Sequence, residues 1–273
     1  STGDGAGCPY YTAHVLAGNA DIVFCPHNYI LDPAVARCHS HHRERWSLKR
    51  RVVVIDEAHN LEKGCRDAGS IDVSLTELRE LITSLRALFA RWPRLQVRSR
   101  GRNIGCQDVC SALQRLPEQL ASFLEEEARP SVDVGKTPST LGDPLPGLCR
   151  VWGLPGQSPT EDFVRRAGIA GKGVLGRAVE DLIAELVDSL LRLQASGDAV
   201  VEDAALLGML DRLQELVTKL PLAVRHPCSY VVGVAAAGSD GPAGRRGPLL
   251  SVWLMSPGVL FDTFAADAHA VVL

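Results

Sequence analysis

The run Arg51-Val-Val-Val-Ile-Asp-Glu-Ala-His59 constrains this chain more than any other stretch. Its β-branched residues, Val52 to Ile55, have the length and composition of a strand covered on both faces, as parallel strands are. They deliver Asp56 and Glu57 to the carboxyl end of the strand, where an α/β sheet binds its ligand. At such a place an Asp can hold Mg²⁺, usually through water. The Glu beside it can orient and deprotonate the water that attacks a γ-phosphate. Asp-Glu-Ala-His alone also opens ordinary acidic helices. Placed directly after VVVI and before Asn60-Leu61-Glu62, it predicts a nucleotide site, with a helix starting near Ala58.

The bulk properties leave room for such a site. With 273 residues, 46% of them hydrophobic, the chain can build one large domain or two smaller ones. The net charge of −3 confines any nucleic-acid surface to a local patch. No run of eighteen apolar residues and no cleavable signal is present, so a soluble, non-secreted protein without a membrane partner is expected. The eight cysteines are too dispersed for a disulfide scaffold, which favours a reducing compartment. Ser1 runs through Gly3, Gly5 and Gly7 straight into a motif, and Ala270-Val-Val-Leu273 ends on a strand-like stretch. The expectation is an internal fragment.

Along the chain, Thr12 to Ala17 reads as a helix and Ala20 to Phe24 as a buried strand, followed by a basic stretch from Arg37 to Arg51. Ser74 can cap a helix bearing Leu78, Leu81, Ile82, Leu85 and Leu88 on one face. A second helix is predicted from Gln107 to Ala128, and dense Pro and Gly predict an irregular loop between Pro130 and Pro159. Leucine stripes at 3–4 spacing then mark two long helices, one from Leu175 to Leu193 and one from Leu206 to Leu220. A stripe of that kind is more often core than a partner seam. Strands are predicted at Tyr230 to Val234 and Leu249 to Leu254. The expected organisation is a helical insertion, 75–222, within an α/β domain split between 1–74 and 223–273, whose two parts pair in one sheet.

Three segments in order, Cys8-Pro-Tyr-Tyr-Thr-Ala-His14, Ala20-Asp-Ile-Val-Phe-Cys-Pro-His-Asn-Tyr-Ile-Leu-Asp32 and VVVIDEAHNLE, resemble the iron–sulfur superfamily 2 DEAH DNA helicases. Thr12-Ala13 and Phe24-Cys25-Pro26 favour the Fanconi anaemia group J type, with the telomere-length regulator and other excision-repair-like types as alternatives. The strong likeness covers about 65 residues, and a weaker one covers Leu249 to Leu273.

The resemblance implies a RecA-like, P-loop-type parallel sheet, present in part, with an inserted all-helical Arch domain. It implies an ATP-dependent 5′→3′ helicase that acts on DNA single strands and forks in the nucleus, working with DNA-repair proteins on crosslinks and G-quadruplexes. Its cofactors would be ATP, Mg²⁺ and a 4Fe-4S cluster. Asp56 would hold Mg-ATP, Glu57 would activate water, and His59 would link the nucleotide site to the nucleic-acid side. Cys8 would be the fourth cluster thiolate, and Tyr10 and His14 would face the DNA strand. His14 replaces the family's usual Arg and His27 its usual Tyr, which weakens a phosphate contact. No GxxxxGK[ST] loop occurs in the sequence, so this chain alone is not expected to hydrolyse ATP. A catalytically inactive interaction scaffold is the rival of a different class.

Other clusters carry less. Cys38-His39-Ser-His41-His42 has the density of a zinc site without partner ligands at usual spacing, and a solvated basic loop is the better reading. Cys106 and Cys110 lie one helical turn apart with no second pair, so buried thiols are expected. Arg91, Arg94, Arg98, Arg100 and Arg102 form a basic stretch that either contacts nucleic-acid phosphates or is simply solvated.

Overall fold

The computed structural model describes residues 12–13, 16–17, 19–38, 48–99, 101–129, 148–171, 174–175, 177–195, 204–235 and 247–273. It is a mixed α/β molecule with one small parallel sheet. In chain order, α1 spans Asn28–Leu31, α2 Pro33–Cys38, β1 Val52–Val54, α3 Leu61–Gly69, β2 Ile71–Ser74 and α4 Leu75–Arg91. A hairpin of β3 (Gln96–Ser99) and β4 (Arg102–Gly105) follows, then α5 (Cys106–Glu127), β5 (Leu148–Trp152), α6 (Thr160–Arg166), α7 (Arg177–Ala195) and α8 (Ala204–Arg225). The chain closes with β6 (Tyr230–Ala235), β7 (Leu249–Leu254), α9 (Gly258–Asp267) and β8 (Ala270–Val272).

Two units result, 1–69 with 257–273, and 70–256. In the first, β1 and β8 pair in parallel, Val53 opposite Val271, and the ladder continues where the Ile55 amide donates to the Val272 carbonyl at 2.9 Å. The helix α2 starts where Asp32 Oδ1 accepts from the Ala34 amide at 2.8 Å, with Pro33 tolerated in the first turn. In α3, Leu61, Cys65, Ala68 and Gly69 form the buried stripe.

Two expectations fail in this unit. Val53 and Ile55 are buried, but Val52 and Val54 are 57% and 74% exposed, so β1 is covered on one face and not both. Four β-branched residues satisfy either environment, and composition alone cannot tell them apart. The stretch Ala20 to Phe24 is not a strand. Asp21 and Ile22 form a bend, and Phe24 is 96% exposed. An apolar run becomes a strand only where a neighbour pairs its amides, and the described residues provide none.

The second unit is built on an antiparallel sheet in the order β2-β7-β6-β5. All six residues of central β6 are buried. At Gly233 a Cβ would lie 3.0 Å from the Trp253 ring, which would have to shift to admit it. Ser74 and Glu77 form a capping box at the start of α4. Antiparallel α4 and α5 are bridged on their exposed side by Arg79–Glu125 at 2.8 Å and Arg86–Glu118 at 3.0 Å. Phe123, Trp152 and Phe163 pack as an aromatic triangle with centroids 5.4–6.0 Å apart.

This unit replaces the all-helical insertion expected from the leucine stripes. Those helices exist, but they pack with a sheet. The strands assigned to the return half of the first domain, Tyr230 to Val234 and Leu249 to Leu254, form as β6 and β7 and pair with one another, and β7 pairs with β2. The unit boundaries therefore fall at 69/70 and 256/257 instead of 74/75 and 222/223. Within the expected irregular loop, Leu148–Trp152 is a strand on β6 and 130–147 lies outside the described residues. Among the described residues, no helix is long and apolar enough to cross a membrane.

Candidate functional site

Asp56, Glu57 and His59 follow directly on the carboxyl end of β1. The strand stops at Val54, Ile55 still anchors the backbone to β8, and the chain turns sharply at Asp56 and Glu57. Asp56 Oδ1 accepts from the Glu57 amide at 2.9 Å, which braces the turn. Glu57 itself adopts the left-handed conformation, φ 52° and ψ 48°. A residue with a Cβ pays roughly 1–2 kcal/mol to sit there, so the turn is held by its surroundings. One turn of 3₁₀ helix, Ala58–Asn60, leads directly into α3. The helix thus begins where the motif predicted it.

The αL turn sends the Glu57 carboxylate back over the helix start, where Oε2 lies 3.1 Å from His59 Nδ1. Both side chains are about two-thirds exposed, 66% for Glu57 and 72% for His59. The Asp56 carboxylate is exposed beside them. Two adjacent carboxylates open to solvent form a hard oxygen donor set of the kind that binds Mg²⁺ through one or two carboxylates and water. The chemistry of Asp56 and Glu57 therefore fits that ion.

The described residues do not make a cluster site. A 4Fe-4S cluster takes four thiolates; Cys25, Cys65, Cys106, Cys110, Cys149 and Cys228 form no disulfide. No three His, Cys, Asp or Glu side chains converge among the described residues. Burial pushes the thiols of Cys25 and Cys65 up, which disfavours the thiolate a metal needs. Cys8, Tyr10 and His14 lie outside the described residues, as do His39, His41 and His42. Cys106 and Cys110 are half-buried on α5, the former donating weakly to the Phe89 carbonyl at 3.5 Å.

The left-handed turn at Glu57 is the feature that sequence reasoning missed. No Gly or Asn signals it, and Glu is an unusual occupant of that region. A second missed feature is the cleft formed by Trp92 with Arg91, Arg94 and Arg98, where only the arginines had been noted.

Residues 3–78 match the family model described as DEAD_2. Over 73 residues the chain is 47% identical to the Fanconi anemia group J protein homolog of Gallus gallus, covering 26% of this chain and 5% of the relative. It is 37% identical over 117 residues to the regulator of telomere elongation helicase 1 of Bos taurus, covering 42% of this chain and 9% of the relative. The human regulator of telomere elongation helicase 1 matches at 44% over 71 residues, 26% of this chain and 5% of that relative. The matches thus span less than a tenth of each of these relatives. Residues 3–78, which contain the DEAH turn, match the DEAD_2 model and are similar to segments of the group J and telomere-elongation helicases.

Proposed function

We propose that this chain carries the water-activating strand of an ATP-dependent, 5′→3′ DNA helicase of the iron–sulfur DEAH family, of the group J type. The observation that carries the reading is the Asp56-Glu57 turn, which ends a parallel strand with both carboxylates open to solvent. Glu57 is the base: its carboxylate orients a water and accepts its proton as that water attacks a γ-phosphate. Asp56 holds the Mg²⁺, which neutralises developing phosphate charge when bound. His59, within reach of Glu57, positions that carboxylate and relays the state of the nucleotide site toward DNA. Action on crosslinks and G-quadruplexes, placement in the nucleus and contact with repair proteins belong to the same reading. So do the roles of Cys8 in a cluster and of Tyr10 and His14 on DNA. The unit 1–69 with 257–273 would belong to a RecA-like motor domain, and 70–256 would occupy the place of the Arch.

The test is Glu57→Gln in the longer protein that contains this chain together with a nucleotide-binding loop. DNA-stimulated ATP turnover should fall at least a hundredfold while affinity for single-stranded DNA holds within twofold, in line with a lost general base. Turnover at the parental rate would remove Glu57 from the role.

A further inference from the structure

The second unit holds a cleft of about 610 Å³ that the nucleotide-site reading leaves unused. It opens between the end of α4, the start of β3 and Ser189 of α7, and is lined by Arg91, Trp92, Arg94, Gln96 and Arg98. Its construction is local and reads from the chain. The Trp92 amide closes α4 on the Leu88 carbonyl at 3.2 Å, and the Leu95 amide turns back to the Trp92 carbonyl at 3.0 Å. Buried Leu95 and Val97 anchor the segment inward. The alternation of β3 then sets Gln96 and Arg98 on the opposite, exposed face.

Three cations therefore converge on one exposed cleft, and among the described residues Arg91, Arg94 and Arg98 make no ion pair. That contrasts with Arg66, Arg79, Arg86, Arg150, Arg165 and Arg212, each of which has a carboxylate. On a chain of net charge −3, such unneutralised clustering is local and specific. The Arg91 guanidinium sits 5.2 Å from the centroid of half-buried Trp92, a cation over an aromatic face.

We infer that this cleft binds a short stretch of single-stranded nucleic acid, with Arg91, Arg94 and Arg98 on successive phosphates and Trp92 stacking against a base. Arginine forks suit phosphate oxygens. An aromatic surface accepts any unstacked base, which a duplex does not offer. Gln96 adds a donor and acceptor at the cleft edge. The inference deepens the helicase reading by giving the second unit a hold on the strand, yet its measurement needs no ATP turnover.

The experiment is fluorescence anisotropy of the 273-residue chain with a labelled twelve-residue oligothymidine, titrated across salt concentration. The parental chain should bind with a log–log salt slope near −2, about 0.7 per phosphate for three contacts. Each of Arg91→Ala, Arg94→Ala and Arg98→Ala should weaken binding about three- to tenfold at low salt and reduce the slope by about 0.7. Trp92→Leu should cost about tenfold while Trp92→Phe stays within threefold of the parent. The arginines are unpaired, so their variants should keep the parental melting temperature. That comparison separates lost binding from lost folding. Unchanged affinity in the triple arginine variant overturns the inference, as does equal binding of a duplex of the same length or of polyglutamate. Weakened binding in the arginine variants of this chain, together with Glu57-dependent turnover by the longer protein with its cleft unaltered, is the expected pattern. An unresponsive cleft with turnover intact removes the cleft alone, and a responsive cleft without turnover removes the helicase reading alone.

Discussion

Arg212 on α8 reaches Glu77 on α4, with Nε 2.6 Å from Oε1 across 135 residues of sequence. The same Glu77 closes the capping box with Ser74, and the same guanidinium donates to Glu215 and to the Asp72 carbonyl. One carboxylate thus ends a helix and recruits a distant one, while one guanidinium joins α8 to β2. The pair is about four-fifths buried on both sides, 20% and 23% exposed.

Removing Arg212 leaves the Glu77 carboxylate largely buried without its guanidinium. Arg212→Ala is expected to destabilise the second unit by about 3 kcal/mol, at the low end for a buried pair because some solvent reaches it. Glu77→Gln keeps the cap hydrogen bond and should cost less than Glu77→Ala, by about 1 kcal/mol. Urea unfolding followed by circular dichroism measures both. Equal losses for Gln and Ala would show that the cap adds nothing to the ion pair.

Glu215 supplies a pH dependence. Burial alone would raise its carboxyl. Hydrogen bonding and charge from Lys219 at 2.9 Å, with Arg212 beside it, outweigh that and hold it below its ordinary value of 4.5. A depressed folded pKa means the unfolded chain binds its proton first. The stabilisation is therefore complete above pH 4.5 and fades as pH falls through the lower folded value. Unfolding midpoints between pH 3 and pH 6 should show this loss, and Glu215→Gln should flatten the profile. A parental profile that is already flat would sink the assignment.

The sequence made some of this legible because the physics there is local. Ser74-x-x-Glu77 carries its own cap, and the spacing from Leu78 to Leu88 carries its own buried face. Val52 to His59 carries a strand, a turn and a helix start within eight residues. What escaped was decided by partners far along the chain. Leu148–Trp152 lies beside a Pro- and Gly-rich stretch and becomes a strand only through Tyr230–Ala235, with which it pairs antiparallel across a register shift between Leu148 and Arg150. Tyr230–Ala235 in turn finds Leu249–Leu254 instead of Val52–Val54, a choice set by tertiary packing and not by β-propensity. Glu57 in the left-handed region is similar: nothing in Asp-Glu-Ala-His announces it, and the turn is imposed by the strand before and the helix after.

Gly153 shows how hard one such position is held. Its φ is +85°, and a Cβ there would lie 2.4 Å from the Tyr230 carbonyl oxygen and 2.5 Å from Thr160 Oγ1. That hydroxyl already donates to the same carbonyl at 2.9 Å. Gly153→Ala must therefore displace a buried hydrogen bond and adopt a disfavoured φ together. The expected loss is about 3 kcal/mol or more, read as a fall in the urea midpoint. A loss below about 1 kcal/mol would mean that the β5–α6 connection yields more easily than its geometry implies.

At Glu57 stability and function should part. The residue is exposed, its side chain lies 3.1 Å from His59, and its backbone is left-handed at φ 52°. Glu57→Gly removes the Cβ penalty of that conformation and should stabilise the first unit by about 1 kcal/mol, partly offset by glycine's greater freedom in the unfolded chain. Glu57→Gln keeps the Cβ and should leave stability within about 0.5 kcal/mol. Both variants lose the carboxylate, so under the proposed helicase function both should lose ATP turnover in the longer protein. A protein made more stable by Gly and inactive by either change would mark Glu57 as a residue kept for its carboxylate at the expense of backbone strain. If Gly instead destabilises, the left-handed turn is not strained, and the Glu57 side chain must be contributing to the fold.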